Sequence, residues 1–187
     1  MARWLLALHA FVWGGFILTR LLFRAEKREN AVTSQETHQA AGSDLGLLAH
    51  CAGFGILYFA IFFGGEPWFA PQSGLGAFLI LAGMALMLWT LRSFHSWRLA
   101  ARIEHGHQLA THGPFRLIRH PIYAGLDLLA LGSAFWLPTP LVWLGFVGVV
   151  IGGDVRARVE EKLLARAFGS AYEDYRRQTK RLIPGIY

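Results

Sequence analysis

Residues 122–153 read IYAGLDLLALGSAFWLPTPLVWLGFVGVVIGG, 32 residues without a lysine or arginine. A helix crosses a hydrocarbon core in roughly 20 apolar residues, so this run is too long for one straight crossing. Pro138, Thr139 and Pro140 interrupt it near its middle. Proline removes a backbone donor and clashes with the preceding turn, which breaks a helix there. At 1.5 Å per residue the first half spans about 24 Å, slightly short of the core. The pattern predicts a tight hairpin of two short membrane helices.

Working back along the chain, three more apolar runs each suit a single crossing: Trp4 to Phe23, Leu45 to Phe63 and Leu75 to Leu91. Arg20, Arg24, Lys27 and Arg28 follow the first run where a signal peptide would have a small-residue cleavage site, so it reads as an uncleaved anchor. Ser43 and Asp44 open the second as N-cap residues, and Gly64, Gly65 and Pro67 close it. The expected fold is therefore all-α: a single membrane domain over residues 1–187 with five transmembrane helices, three of them within 1–93. No segment alternates with period two strongly enough to predict a strand.

Charge gives the orientation. Of 18 Lys and Arg, only Arg3 falls on the N-terminal side, and the Gly64 to Gly74 loop and the Pro138 to Pro140 turn hold none. The rest lie in Arg20 to Asp44, Arg92 to Pro121 and Asp154 to Tyr187, which the positive-inside rule makes cytoplasmic, with the N-terminus outside. The net charge of +6 would suggest nucleic acid in a soluble protein, but 54% apolar and 16% charged residues do not describe one. The single cysteine, Cys51, cannot form an intrachain disulfide and is expected to pack inside its apolar run.

The polar segments on the predicted cytoplasmic face carry the chemistry. Residues 94–121 hold five of the eight histidines, at positions 95, 105, 107, 112 and 120. Their spacing matches neither a helical zinc pair nor repeated di-iron clusters, so no metal site is expected. More specific is His112-Gly113-Pro114-Phe115-Arg116-Leu117-Ile118-Arg119-His120-Pro121-Ile122-Tyr123. Gly-Pro makes a turn, and His-Pro keeps His120 out of α geometry just before a helix whose first amides could receive a carboxylate or phosphate. In the tail, Val155, Val159, Leu163, Ala167 and Phe168 recur at helical spacing, an amphipathic extension of the last crossing. Gly169 stops it, and Ser170 with Glu173 forms a capping-box pattern that starts a second helix bearing Tyr172 and Tyr175. Arg156 and Glu160 share a helix face, while Glu161 and Lys162 are expected to face solvent. Asp127, four residues after Tyr123 on the same face, is an intramembrane acid and so a functional candidate.

Gly113-Pro114-Phe115…Arg119-His120-Pro121-Ile122-Tyr123 and Arg156-x3-Glu160-Glu161…Phe168-Gly169-x2-Tyr172-x2-Tyr175…Ile183-Pro184 together resemble the isoprenylcysteine carboxyl methyltransferase family. Phospholipid N-methyltransferases and some small-thiol methyltransferases look similar over the same region, roughly 94–184. The resemblance implies an integral membrane enzyme using S-adenosylmethionine without a soluble Rossmann fold. Carried over by position, the cofactor would be held by His107, Gln108, Leu109, Ala110, Phe115, His120, Pro121, Ile122, Tyr123 and Glu160. Arg156 would meet a lipophilic or lipidated acceptor, with Arg156 and Glu160 the catalytic pair. An isoprenylcysteine-like carboxylate is the first acceptor implied, with a phospholipid amine or small thiol as alternatives. A histidine-metal membrane oxygenase and a non-catalytic membrane scaffold are the competing classes; nucleic acid is not an expected partner, whereas membrane lipids are.

Overall fold

The computed structural model describes residues 3–27, 38–39, 43–64, 71–93, 102–103 and 109–187. The protein is an all-helical integral membrane protein built from α1 (Arg3–Lys27), α2 (Ser43–Phe63), α3 (Pro71–Ser93), α4 (Pro121–Trp136), α5 (Pro140–Phe168) and α6 (Ser170–Gln178). Four of these, α1, α2, α3 and α5, are long and apolar enough to cross a membrane. The expected fifth crossing, α4, has 16 residues and falls short of that length. The break between α4 and α5 lies where the prolines put it. Thr139 caps α5 by accepting from the Val142 amide at 3.3 Å, with Pro140 in the first turn where its missing N–H costs nothing.

Large apolar side chains, among them Trp4, Phe11, Leu48, Phe59, Phe78 and Leu144, point outward, the face that acyl chains would cover. Cys51 is exposed on that outer face of α2 rather than packed inside. The interior holds Leu57, Ile61, Ile80, Met87, Leu129 and Val149. Its main seams are α2 against α5 and α3 against α4. Both depend on missing side chains: a Cβ on Gly132 would lie 2.6 Å from the Gly76 carbonyl oxygen, and one on Gly145 2.8 Å from the Leu57 nitrogen. Small residues let helix backbones meet where apolar burial from lipid gives little drive to associate.

One buried polar chain crosses three helices. Ser133 Oγ donates to the Leu129 carbonyl at 2.8 Å, so it accepts from His9 Nε2 at 2.8 Å. His9 Nδ1 then accepts from the Tyr58 hydroxyl at 2.8 Å, and Trp13 Nε1 donates to that hydroxyl. Every polar hydrogen in the chain thus has an acceptor.

On the polar side, His38–Gln39 (β1) and Arg102–Ile103 (β2) form a two-residue antiparallel pairing, too short to predict by alternation. These described pieces of the segments after α1 and α3 therefore meet. The α5–α6 junction differs from the capping box expected there. Ser170 is already helical, and Gly169, at φ 52°, is the N-cap whose carbonyl accepts from the Tyr172 and Glu173 amides. A one-residue break leaves no room for a serine cap, and only glycine takes that φ cheaply.

Candidate active site

The motif before α4 folds as a short 3₁₀ turn, Gly113–Arg116, entered through Gly113 at φ 60°. Leu117 still has α geometry, Ile118 bridges to Lys180, and His120, at φ −124° and ψ 62°, is the N-cap of α4, as the His-Pro step requires. This stretch is held by the C-terminal tail: the Arg119 amide donates to the Lys180 carbonyl at 2.8 Å and the His120 amide to the Arg181 carbonyl at 3.0 Å. The two sequence motifs are thus bonded through their backbones.

The side chains meet where α4 begins and α5 leaves the apolar layer. The Tyr123 hydroxyl donates to Glu160 Oε1. Arg156 Nε donates to the same hydroxyl at 2.9 Å, and Arg156 Nη2 lies 3.8 Å from Glu160 Oε1. The Arg156 guanidinium also sits over the Tyr123 ring, 5.7 Å from its centroid. On the other side the His120 ring stacks on Tyr123 at 5.8 Å, with Nδ1 3.5 Å from Glu160 Oε2. Arg156 is buried, at 4% exposure, because α2 passes close: a Cβ on Gly46 would lie 2.8 Å from Arg156 Cγ.

Glu161 does not face solvent. It is buried, accepting from Arg119 Nε at 2.8 Å and from Arg181 Nη2 at 2.8 Å, with His120 Nε2 at 3.6 Å. A helix period alone cannot show this, because its partners come from the loop before α4 and from the tail. Burial by itself would favour a neutral His120. The hydrogen bonds and charges of Glu160 and Glu161 outweigh that and raise its pKa above the ordinary 6.5. Tyr172 is fully buried, and Tyr175 donates to the Phe115 carbonyl at 2.8 Å. Burial pushes the Tyr175 phenol up to about 12, so it stays a donor.

Of the residues carried over by resemblance, His120, Tyr123, Arg156 and Glu160 form one contiguous cluster. Pro121 and Ile122 make the first turn of α4, with Ile122 packed in the apolar core. Phe115 is buried on the 3₁₀ turn below α6, and Leu109 and Ala110 are half-buried in irregular chain before it. His107 and Gln108 lie outside the described residues. Among the described residues no three His, Cys, Asp or Glu side chains are grouped to hold a metal ion. Beside the cluster, a cavity of about 700 Å³ opens between α3, α4, α5 and the tail. Its walls are apolar, Leu86, Leu128, Phe146 and Ile151 among them, except at Asp127, Asp154 and the Tyr187 phenol. One further residue went unnoticed in the sequence. His50 of α2 has its ring centroid 6.2 Å from that of Tyr123, and nothing in its apolar neighbourhood along the chain signals this.

The phospholipid methyltransferase family model matches residues 71–171, more than half the chain and the whole of this cluster. The chain belongs to the phospholipid methyltransferase family. Within it, this family member is 33% identical over 125 residues to a probable protein-S-isoprenylcysteine O-methyltransferase of Oryza sativa subsp. indica, covering 65% of this chain and 64% of that protein. It is 29% identical over 127 residues to protein-S-isoprenylcysteine O-methyltransferase A of Arabidopsis thaliana, covering 65% and 62%. It is 35% identical over 102 residues to methanethiol S-methyltransferase of Mycobacterium tuberculosis (strain ATCC 25618 / H37Rv), covering 52% and 38%. The chain therefore spans less than two thirds of the length of these relatives.

Proposed function

We propose that the protein is an S-adenosylmethionine-dependent membrane methyltransferase for a lipophilic acceptor, with residues 94–187 as the catalytic part of a single membrane domain. The observation that carries this reading is the joining of His120, Tyr123, Arg156 and Glu160, from two separate motifs, at the polar end of α4 and α5. With 17 of 18 basic residues assigned to that face, the site opens to the cytoplasm and the N-terminus lies outside.

The residues present fit the cofactor. Helix geometry leaves the Ile122 and Tyr123 amides without intrahelical acceptors, a place for its carboxylate. The Glu160 carboxylate and the Tyr123 ring suit its ammonium and sulfonium. Phe115, Pro121 and the chain from His107 through Gln108, Leu109 and Ala110 would close around the nucleoside. When bound, this group supplies a methyl carbon activated by positive sulfur. Arg156 holds the acceptor head, Tyr123 fixes Arg156 and Glu160 relative to each other, and the apolar cavity takes the acceptor's hydrocarbon. Catalysis on this arrangement is mostly positioning for in-line attack.

The acceptor read first is an isoprenylcysteine-like carboxylate, in keeping with the names of the plant relatives and with Arg156 as a bidentate carboxylate partner. A thiol is the second reading, favoured by the name of the mycobacterial relative, and a phospholipid amine the third, favoured by the family description. The test is calorimetric binding of S-adenosylhomocysteine to the purified protein in bilayers, followed by labelled methyl transfer to each acceptor class. Absence of binding removes the methyltransferase reading.

A further inference from the structure

The buried histidines of this protein differ. His9 is bonded to side chains at both ring nitrogens, whereas neither Nδ1 nor Nε2 of His50 has a side-chain partner among the described residues, the Val149 backbone alone coming near it. The His50 ring, 7% exposed, interacts with the Val149 backbone and packs against Phe54, with centroids 5.2 Å apart, and against Tyr123. Asp127, one turn beyond Tyr123 on α4, likewise has a buried Oδ1 without a hydrogen-bond partner. Gly153 of α5 faces the space between them: a Cβ there would lie 3.7 Å from His50 Nδ1 and 3.7 Å from Asp127 Oδ1. That is ordinary contact distance, so the gap has room for an atom from a ligand.

A buried polar group without a good partner is costly, and a ligand group bonded to both would offset that cost. Asp127 also lines the 700 Å³ apolar cavity, so the gap and the cavity share that carboxyl side chain. The other carboxylate in that wall, Asp154, is already held by Arg158, Arg181 and Tyr187.

We propose that His50 is the base that takes the proton of an acceptor which must lose one, a lipophilic thiol or amine, with Asp127 orienting it across the Gly153 gap. This rests on the methyltransferase reading and moves its acceptor from the carboxylate read first to the thiol or amine read second and third, since a carboxylate is already ionised at neutral pH and needs no base. The balance is complete. The S–H or N–H proton passes to an imidazole nitrogen, and the freed electron pair bonds to the methyl carbon of the sulfonium donor. The methyl–sulfur bond breaks, leaving its pair on the donor sulfur as a neutral thioether. The charged and titratable groups that face His50 among the described residues are Arg156 on α5 and Tyr123 and Asp127 on α4.

The test uses the whole protein in bilayers with dodecanethiol, dodecylamine and dodecanoate, acceptors that share one tail and differ in the head. Wild type is expected to methylate the thiol or the amine at least tenfold faster than dodecanoate. His50→Ala loses at least tenfold of that rate at neutral pH and regains it as pH approaches the acceptor's own pKa, which a structural loss would not do. In binding measured without donor, Gly153→Ala, which fills the gap, weakens the preferred acceptor at least tenfold while S-adenosylhomocysteine affinity stays within twofold. Asp127→Asn shifts the pH profile without abolishing turnover. Preference for dodecanoate, an unchanged His50→Ala rate, or a loss without alkaline recovery overturns the proposal while leaving a methyltransferase in place. Wild type that binds no S-adenosylhomocysteine overturns both.

Discussion

Tyr123 and Glu160, 37 residues apart, are joined by a hydrogen bond in which the phenol donates to the carboxylate, while Arg156 donates to the same phenol oxygen. One hydroxyl thereby fixes the spacing of a buried cation and a carboxylate on successive turns of α5. Removing it frees both charges, so the three side chains act as a unit.

Tyr123→Phe and Glu160→Gln should each weaken S-adenosylhomocysteine binding, and the double variant should lose less than the two losses combined. Residues in one hydrogen-bonded network show coupling of roughly 0.5–3 kcal/mol. Calorimetry on the four proteins of this cycle measures it. Strict additivity would mean that the bond is not formed in solution.

Arg156→Ala is expected to reduce acceptor turnover far more than cofactor affinity, and Glu160→Ala the reverse. Single-turnover rates set beside calorimetric affinities separate the two. Equal effects of both substitutions on cofactor affinity would end that division of roles.

Glu161 is the bolt between α5, the loop before α4 and the tail. Glu161→Ala leaves Arg119 and Arg181 without their buried partner, a loss of about 3–5 kcal/mol by the usual cost of breaking such a pair. Thermal unfolding in detergent should show a markedly lower midpoint, and proteolysis should reach the tail after Gln178 sooner than in wild type. A midpoint within error of wild type would contradict the buried position.

Stability should also depend on pH through His120. Its folded-state pKa is raised above 6.5, so its contribution is fully present below that value and is lost as pH rises through the raised folded-state pKa. A series of unfolding midpoints from mildly acidic to alkaline pH should fall across that window and flatten in His120→Gln. The opposite slope would show that Glu160 and Glu161 do not outweigh burial.

In the membrane interior, Tyr58→Phe removes the central link of the Trp13–Tyr58–His9–Ser133 chain and strands two partners, costing roughly 1–3 kcal/mol. Steric trapping or detergent unfolding reads this directly. No destabilisation would imply that another group satisfies His9.

The apolar runs, the proline break before α5 and the His-Pro entrance to α4 were legible in the sequence because each depends on local rules: crossing length, a missing N–H, and the clash that proline imposes on its predecessor. The same rules placed Arg156 and Glu160 on one face of α5. They could not show that Glu161, next in sequence, turns inward, or that Gly169 takes over the cap expected of Ser170, because both outcomes depend on which segments return to that spot. Nor could they find His50. Its approach to Tyr123 depends on Gly152, where a Cβ would lie 2.4 Å from the His50 nitrogen and push α2 away from α5. Sequence alone determined a membrane-embedded helical protein with a polar site at one face, since hydrophobicity and backbone sterics act over a few residues. Tertiary structure decided which buried charges are satisfied and which groups remain unpaired, since partners for a buried polar atom come from wherever the chain packs.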